Sequence, residues 1–126
     1  MNVPEDRRYT ADHEWVLADG DGVRVGITDY AQDALGDVVF VQLPERGATV
    51  TTGESFSEVE STKSVSDIYA PVNGTVNEVN NDLVDAPQRI NEDPYGTGWI
   101  CVITMRDRAE YDTLMDADSY RQLISA

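Results

Sequence analysis

Apolar residues along this chain recur mostly at every second position, in short runs. Val23, Val25 and Ile27 alternate with Arg24 and Gly26, the period of a half-buried strand. Val38, Val39, Phe40 and Val41 form a continuous apolar run, which predicts a strand covered on both faces. Trp99, Cys101 and Ile103 fall on one face of a predicted strand, Ile100 and Val102 on the other. Turn signals separate these runs at Asp19-Gly20-Asp21-Gly22, Pro44 to Gly47, Pro71 to Gly74 and Pro94-Tyr95-Gly96. Many short strands at such close spacing predict an all-β sandwich or barrel rather than a βαβ fold.

The period changes in two places. From Asp29 to Leu35 the apolar side chains fall on one face of a helix, with Thr28 at the N-cap and Gly36 just past the end. Tyr111, Leu114 and Met115, then Tyr120, Leu123 and Ile124, keep helical spacing. They predict two short C-terminal helices packed on the sheet, the second capped by Asp116 or Asp118. Ser57-Glu58-Val59-Glu60 also resembles Asn77-Glu78-Val79-Asn80, twenty positions on. That repeat fits a sandwich of two similar halves related by a pseudo-twofold axis.

Charge narrows the function classes. Acids outnumber bases 24 to 9 over 126 residues, a net charge of −15. Such a surface repels nucleic-acid backbones and anionic membranes alike. No run approaches the ~20 apolar residues of a membrane-spanning helix. Met1 to Trp15 reads neither as a signal nor as a transit peptide, so the expected location is the cytoplasm. Cys101 is the only cysteine, which excludes an internal disulfide framework and a multi-cysteine metal site. It alternates within an Ile-Val strand and reads as a small buried apolar residue. His13, the only histidine, sits beside Glu14 and Trp15 on a predicted strand and reads as structural.

The bases themselves carry the sharpest signal. Eight are arginine and one, Lys63, is lysine. Arginine was available wherever charge alone was wanted, whereas lysine offers a primary amine that can be acylated or form a Schiff base. Ser61, Thr62, Ser64 and Ser66 crowd around Lys63, between strand-like flanks. Small hydroxyl residues favour turns over ladder continuation, which puts Lys63 at the tip of a β-hairpin. Thr62-Lys63-Ser64 lacks the glycines that a phosphate loop needs.

Glu60-Ser-Thr-Lys63-Ser, followed by Asp67-Ile-Tyr-Ala-Pro71 and Asn73-Gly74-Thr75-Val76, resembles a lipoyl-attachment motif. The likeness is closer still to the H proteins of glycine cleavage systems. It runs from His13-Glu14-Trp15-Val16 through Val25 to Gln32, Leu35 to Val41 and Leu43-Pro44, and on to Ile90-Asn91, Pro94-Tyr95-Gly96 and Gly98-Trp99.

This resemblance implies a carrier rather than an enzyme. The expected fold is an all-β-dominated barrel-sandwich hybrid of two antiparallel sheets, with a short internal helix and C-terminal helices. Residues 1–126 would form one lipoyl-carrier domain, with a core at about 9–104 and a helical tail at about 107–126. Lipoic acid would be joined as an amide to Lys63 by a lipoate-attaching enzyme that recognises Glu60 and Gly74. The partners would be glycine decarboxylase (the P protein), an aminomethyltransferase (the T protein) and dihydrolipoyl dehydrogenase (the L protein). Between them the arm would carry an aminomethyl intermediate and reducing equivalents. Asp12, Glu14 and Asp67 match positions of a cleft that shelters the loaded arm. Two other carriers share the lysine turn: an H-like protein that relays lipoyl groups, and a lipoyl domain of another multienzyme complex.

Overall fold

The computed structural model describes residues 1–125. The elements run β1 (Arg8–Tyr9), β2 (Glu14–Asp19), β3 (Gly22–Ile27), α1 (Asp29–Leu35), β4 (Val38–Gln42), β5 (Thr49–Val50), β6 (Ser55–Ser61) and β7 (Val65–Tyr69). There follow β8 (Gly74–Val79), α2 (Asp82–Asp85), α3 (Arg89–Glu92), β9 (Cys101–Met105), α4 (Ala109–Asp112) and α5 (Ala117–Ser125). Two antiparallel sheets result. One has six strands in the order β1-β2-β3-β9-β8-β5, the other three in the order β4-β6-β7.

Alternation explains how the sheets meet. Val16, Val23, Val25, Val76 and Ile103 leave the large sheet for the core, where Val41, Val59 and Ile68 of the small sheet join them. Each such side chain contributes about 1.5–3 kcal/mol by leaving water. Helix α1 has both of its expected ends. The Thr28 hydroxyl accepts the Ala31 N–H at 3.2 Å, and the Gly36 N–H donates to the Gln32 carbonyl at 3.0 Å.

A second cluster gathers Val3, Tyr9, Trp15, Ala117 and Tyr120 where the C-terminal tail crosses the large sheet. Tyr9 and Met115 exchange backbone hydrogen bonds of 2.8 and 3.0 Å, and the Tyr9 and Tyr120 rings stack at 4.7 Å. Asp116 caps α5 by accepting the Ser119 N–H at 2.8 Å, while Asp118 pairs with Arg121.

Five local readings of the sequence need correction. Leu114 and Met115, expected on a helix with Tyr111, lie beyond α4, which ends at Asp112, and Met115 bridges to Tyr9 instead. The run at Val38–Val41 is covered on one face only, because a bulge between Val38 and Phe40 turns Val39 and Phe40 outward. An apolar run cannot by itself distinguish two-sided burial from a bulge. Trp99 precedes β9 and packs with the second cluster, away from the faces of Cys101 and Ile103. Asp12 and His13 lie in a turn, and β2 begins only at Glu14. The single-turn helices α2 and α3 have no counterpart in the predicted pattern, since four residues are too few to display a period. The repeated segments occupy one sheet each, Ser57–Glu60 in β6 and Asn77–Val79 in β8.

Candidate functional site

Lys63 stands in the turn between β6 and β7, and one serine closes that turn. The Ser61 N–H donates to the Ser64 carbonyl at 2.8 Å. The Ser61 hydroxyl accepts the N–H groups of Lys63 and Ser64, both at 3.1 Å, and donates to the Ser64 carbonyl at 3.2 Å. A side chain thus does what a tight hairpin asks of the backbone.

The turn rests on the loop that joins α1 to β4. Thr62 N–H donates to the Asp37 carbonyl at 3.0 Å. Gly36 takes a positive φ of 87°, and a Cβ there would stand 3.1 Å from the Lys63 Cε. The lysine stem therefore lies across bare backbone that any larger residue would fill. Asn91, on α3, fixes this loop from behind. Its Oδ1 accepts the Val38 N–H at 2.9 Å, and its Nδ2 donates to the Gly36 carbonyl at 2.9 Å and to Gln32 Oε1 at 3.0 Å.

The two residues expected to guide attachment lie in different sheets. Glu60 is exposed on β6, opposite Phe40 and Val65 and three residues before the lysine. Gly74 opens β8 in the six-stranded sheet, where a Cβ would overlap the Thr104 carbonyl oxygen. Its smallness is required by the approach of β9.

Asp12 and Glu14 line a cleft of about 330 Å³, together with Thr52, Pro71, Leu114 and Met115. Glu14 is only 1% exposed. It accepts the Thr10 hydroxyl at 2.9 Å on Oε1 and the Tyr69 N–H at 2.8 Å on Oε2. Burial pushes its carboxyl up to about 7, against the downward pull of those two hydrogen bonds. Asp67 lies outside this lining. It is exposed on β7, two residues before Tyr69, and accepts the Ser55 hydroxyl at 3.1 Å. Strand β7 therefore leads from the lysine turn, past Asp67, to the backbone group that holds Glu14.

His13 and Cys101 have structural surroundings. His13 has φ 68°, alone among the described non-glycine residues in being positive. Its Nδ1 lies 2.8 Å from the Tyr120 hydroxyl, which lies 2.7 Å from Thr28 Oγ1. Thr28 Oγ1 also accepts the Ala31 N–H, so the Tyr120 hydroxyl ties His13 to the start of α1. Burial lowers the imidazole pKa, opposed by Asp12. Cys101 is fully buried, and burial pushes its thiol up to about 12.

Sequence reading marked Lys63 but missed Ser61, Gly36 and Asn91 as its supports. The hydroxyl cluster signalled a turn without showing which hydroxyl closes it, and Gly36 looked only like a helix end.

The one side-chain amine of the chain stands on a turn tied to the sandwich, the arrangement of a carrier for a covalently attached group. The family model described as Glycine cleavage H-protein matches residues 7–126. The glycine cleavage system H protein of Mycobacterium avium is 61% identical over 125 residues, covering 95% of each chain. That of Thermus thermophilus is 54% identical over 126 residues, covering 100% of this chain and 98% of the other. A crystal structure of a glycine cleavage system H protein from Mycobacterium marinum matches with a TM-score of 0.89 and 50% identity, over 98% of this chain and 100% of that one. The chain belongs to the glycine cleavage H-protein family, whose members work with the other glycine cleavage components. Among the described residues, no helix is long and apolar enough to cross a membrane.

Proposed function

We propose that this chain is lipoylated on Lys63 and shuttles the aminomethyl intermediate and reducing equivalents of glycine cleavage between partner enzymes. Those partners are glycine decarboxylase, the aminomethyltransferase and dihydrolipoyl dehydrogenase, in a bacterial cytoplasm. The observation that carries this reading is the one lysine of an H-protein chain, standing on a turn closed by Ser61.

The donor chemistry fits lipoic acid. Attachment needs an unhindered primary amine. Nζ, having shed a proton, attacks an activated acyl carbon; a C–N bond forms, the activating group departs and a second proton leaves the nitrogen. The amide removes one positive charge and takes the formal net charge one unit below −15. When attached, the lipoyl group supplies a disulfide that opens to a dithiol and can hold a one-carbon unit. The protein supplies the anchor. Ser61 and the Asp37 carbonyl hold the turn, Gly36 leaves the stem room, and tethering raises the effective concentration at each partner. Glu60 offers the attaching enzyme a charge beside the lysine, and Gly74 acts through the sheet it shapes.

The cleft at Asp12 and Glu14 is the shelter for a loaded arm. A cationic amine brought there would draw Glu14 to its ionised form, because an opposite charge in a dry site favours the carboxylate. Asp67 lies on the strand between turn and cleft.

The decisive experiment replaces the amine. Lys63→Arg keeps the charge but offers a poor acyl acceptor. After expression with a lipoate-attaching enzyme and lipoate, the wild-type chain gains the lipoyl mass and Lys63→Arg gains none, with the same thermal melt. Lipoyl mass on the arginine variant would refute the assignment.

A further inference from the structure

The well-exposed large apolar side chains of the three-stranded sheet gather at the end that carries Lys63. Phe40 on β4, Glu60 on β6 and Val65 on β7 lie opposite one another in a single row. Cross-strand partners point the same way. Phe40 is 55% exposed, Val65 57%, and Val39, turned out by the bulge, 52%. These are three of the six large apolar side chains exposed among the described residues. The next row from the turn, Gln42, Glu58 and Asp67, is polar throughout. Asp37 lies at the edge of these residues, and Glu60, on the central strand, stands between Phe40 and Val65. Besides Lys63, the chain from Asp37 to Tyr69 holds a single base, Arg46, and its guanidinium is bonded to the Asn77 carbonyl at 3.0 Å. The face thus sets exposed apolar side chains on either side of an acid, a mixed surface suited to a partner.

We propose that this face is the docking surface of the lipoate-attaching enzyme, which meets Phe40 and Val65 with apolar contacts and the Glu60 between them with arginine or lysine. The proposal rests on Lys63 as the attachment site. Reach selects this partner over the others. An enzyme working at the far end of an attached arm can stay an arm's length from the sheet. An enzyme that makes the amide must bring its acyl carbon to Nζ itself, whose stem lies along Gly36. A stable interface buries about 800 Å² on each side, far more than a lysine and a four-residue turn can offer. The remaining footprint falls on the ground beside the turn, where Val39, Phe40 and Val65 stand. Glu60 within the row and Asp37 beside it select a basic partner and repel an acidic one.

The test measures lipoylation rate against concentration of the unmodified full-length chain, using purified attaching enzyme, lipoate and MgATP. The Phe40→Ser, Val65→Ser double variant raises KM for the acceptor about tenfold, as expected when two apolar anchors leave an interface, with kcat little changed. Its thermal melt stays that of the wild type. Asp37→Lys raises KM at low salt, and high salt removes the difference. Val84→Ser and Leu123→Ser, exposed apolar positions elsewhere, leave KM unchanged. A wild-type KM for the double variant would overturn the docking surface. So would an unchanged KM for attachment with a raised KM for reoxidation of the attached dithiol by dihydrolipoyl dehydrogenase, which would assign the face to that partner. If the wild-type chain itself gains no lipoyl mass, the attachment reading fails and takes this proposal with it.

Discussion

The lysine end and the aromatic end of this molecule are built on opposite terms. Around Lys63 the supports are a serine hydroxyl, backbone carbonyls and a bare glycine, and the large apolar side chains face water. Around Tyr9, Trp15 and Tyr120 the rings are fully buried. They are pinned by hydrogen bonds from Trp15 Nε1 to the Pro94 carbonyl and between Tyr120 and both His13 and Thr28. Arg7 adds its guanidinium over the Trp15 ring at 4.7 Å. One region anchors the C-terminal tail to the large sheet with buried rings, and the other leaves its apolar side chains in solvent. Local stability varies across a fold in this way, and surfaces that must adapt sit at the lightly packed end.

The largest effect should come from the aromatic end. Trp15→Ala removes a fully buried indole and costs about 3–5 kcal/mol of stability, read by urea unfolding. Chains still folded should accept lipoate at the wild-type rate. A lipoylation defect in the folded fraction would break the separation between the two ends.

Asn91→Ala should blur it in a defined way. The change leaves the Val38 N–H and the Gly36 carbonyl without their partner, at about 1–3 kcal/mol. It also loosens the loop on which the lysine turn rests. Both the midpoint of unfolding and the lipoylation rate should fall. A loss of stability with lipoylation untouched would show that the turn needs no support from that loop.

Glu14 gives a smaller effect that depends on pH. Its carboxyl is pushed up to about 7 in the folded chain, above its ordinary value, so the folded form holds the proton more tightly. The resulting stabilisation is fully present below the ordinary carboxyl range and is lost as pH rises through about 7. Glu14→Gln is neutral throughout and should flatten that fall, by an amount on the order of 2 kcal/mol, in melts compared at pH 5 and pH 8. With Asp12→Asn it should also shorten the lifetime of the aminomethyl-loaded protein while leaving reoxidation of the unloaded dithiol unchanged. Equal lifetimes would remove these two carboxylates from the shelter.

Much of this was legible where the cause is local. Thr28 and Gly36 announce α1 because caps are short-range chemistry, and alternating valines announce strands because the pleat has period two. The lone lysine among arginines marked the turn. What stayed hidden is long-range. Asn91 acts on Val38 and Gly36, 53 and 55 positions away, and nothing in its neighbours says so. His13 looked like a strand residue because a positive φ leaves no trace in polarity. Phe40 looked buried because an apolar run reads alike whether a second layer covers it or water does. Asp12 and Glu14 line one cleft and Asp67 does not, which only the register of β7 could show.

Strand β9 is the last strand to leave the ribosome, yet it sits between β3 and β8 in the middle of the large sheet. A nascent chain that ends before Cys101 has its β6–β7 hairpin, whose contacts are local and form early. It has no strand to join the two halves of the sheet on which that hairpin packs. An enzyme that reads the presented lysine rather than the bare sequence therefore meets a substrate only after nearly the whole chain has been made. Unfinished or truncated copies would then be poor acceptors at Lys63.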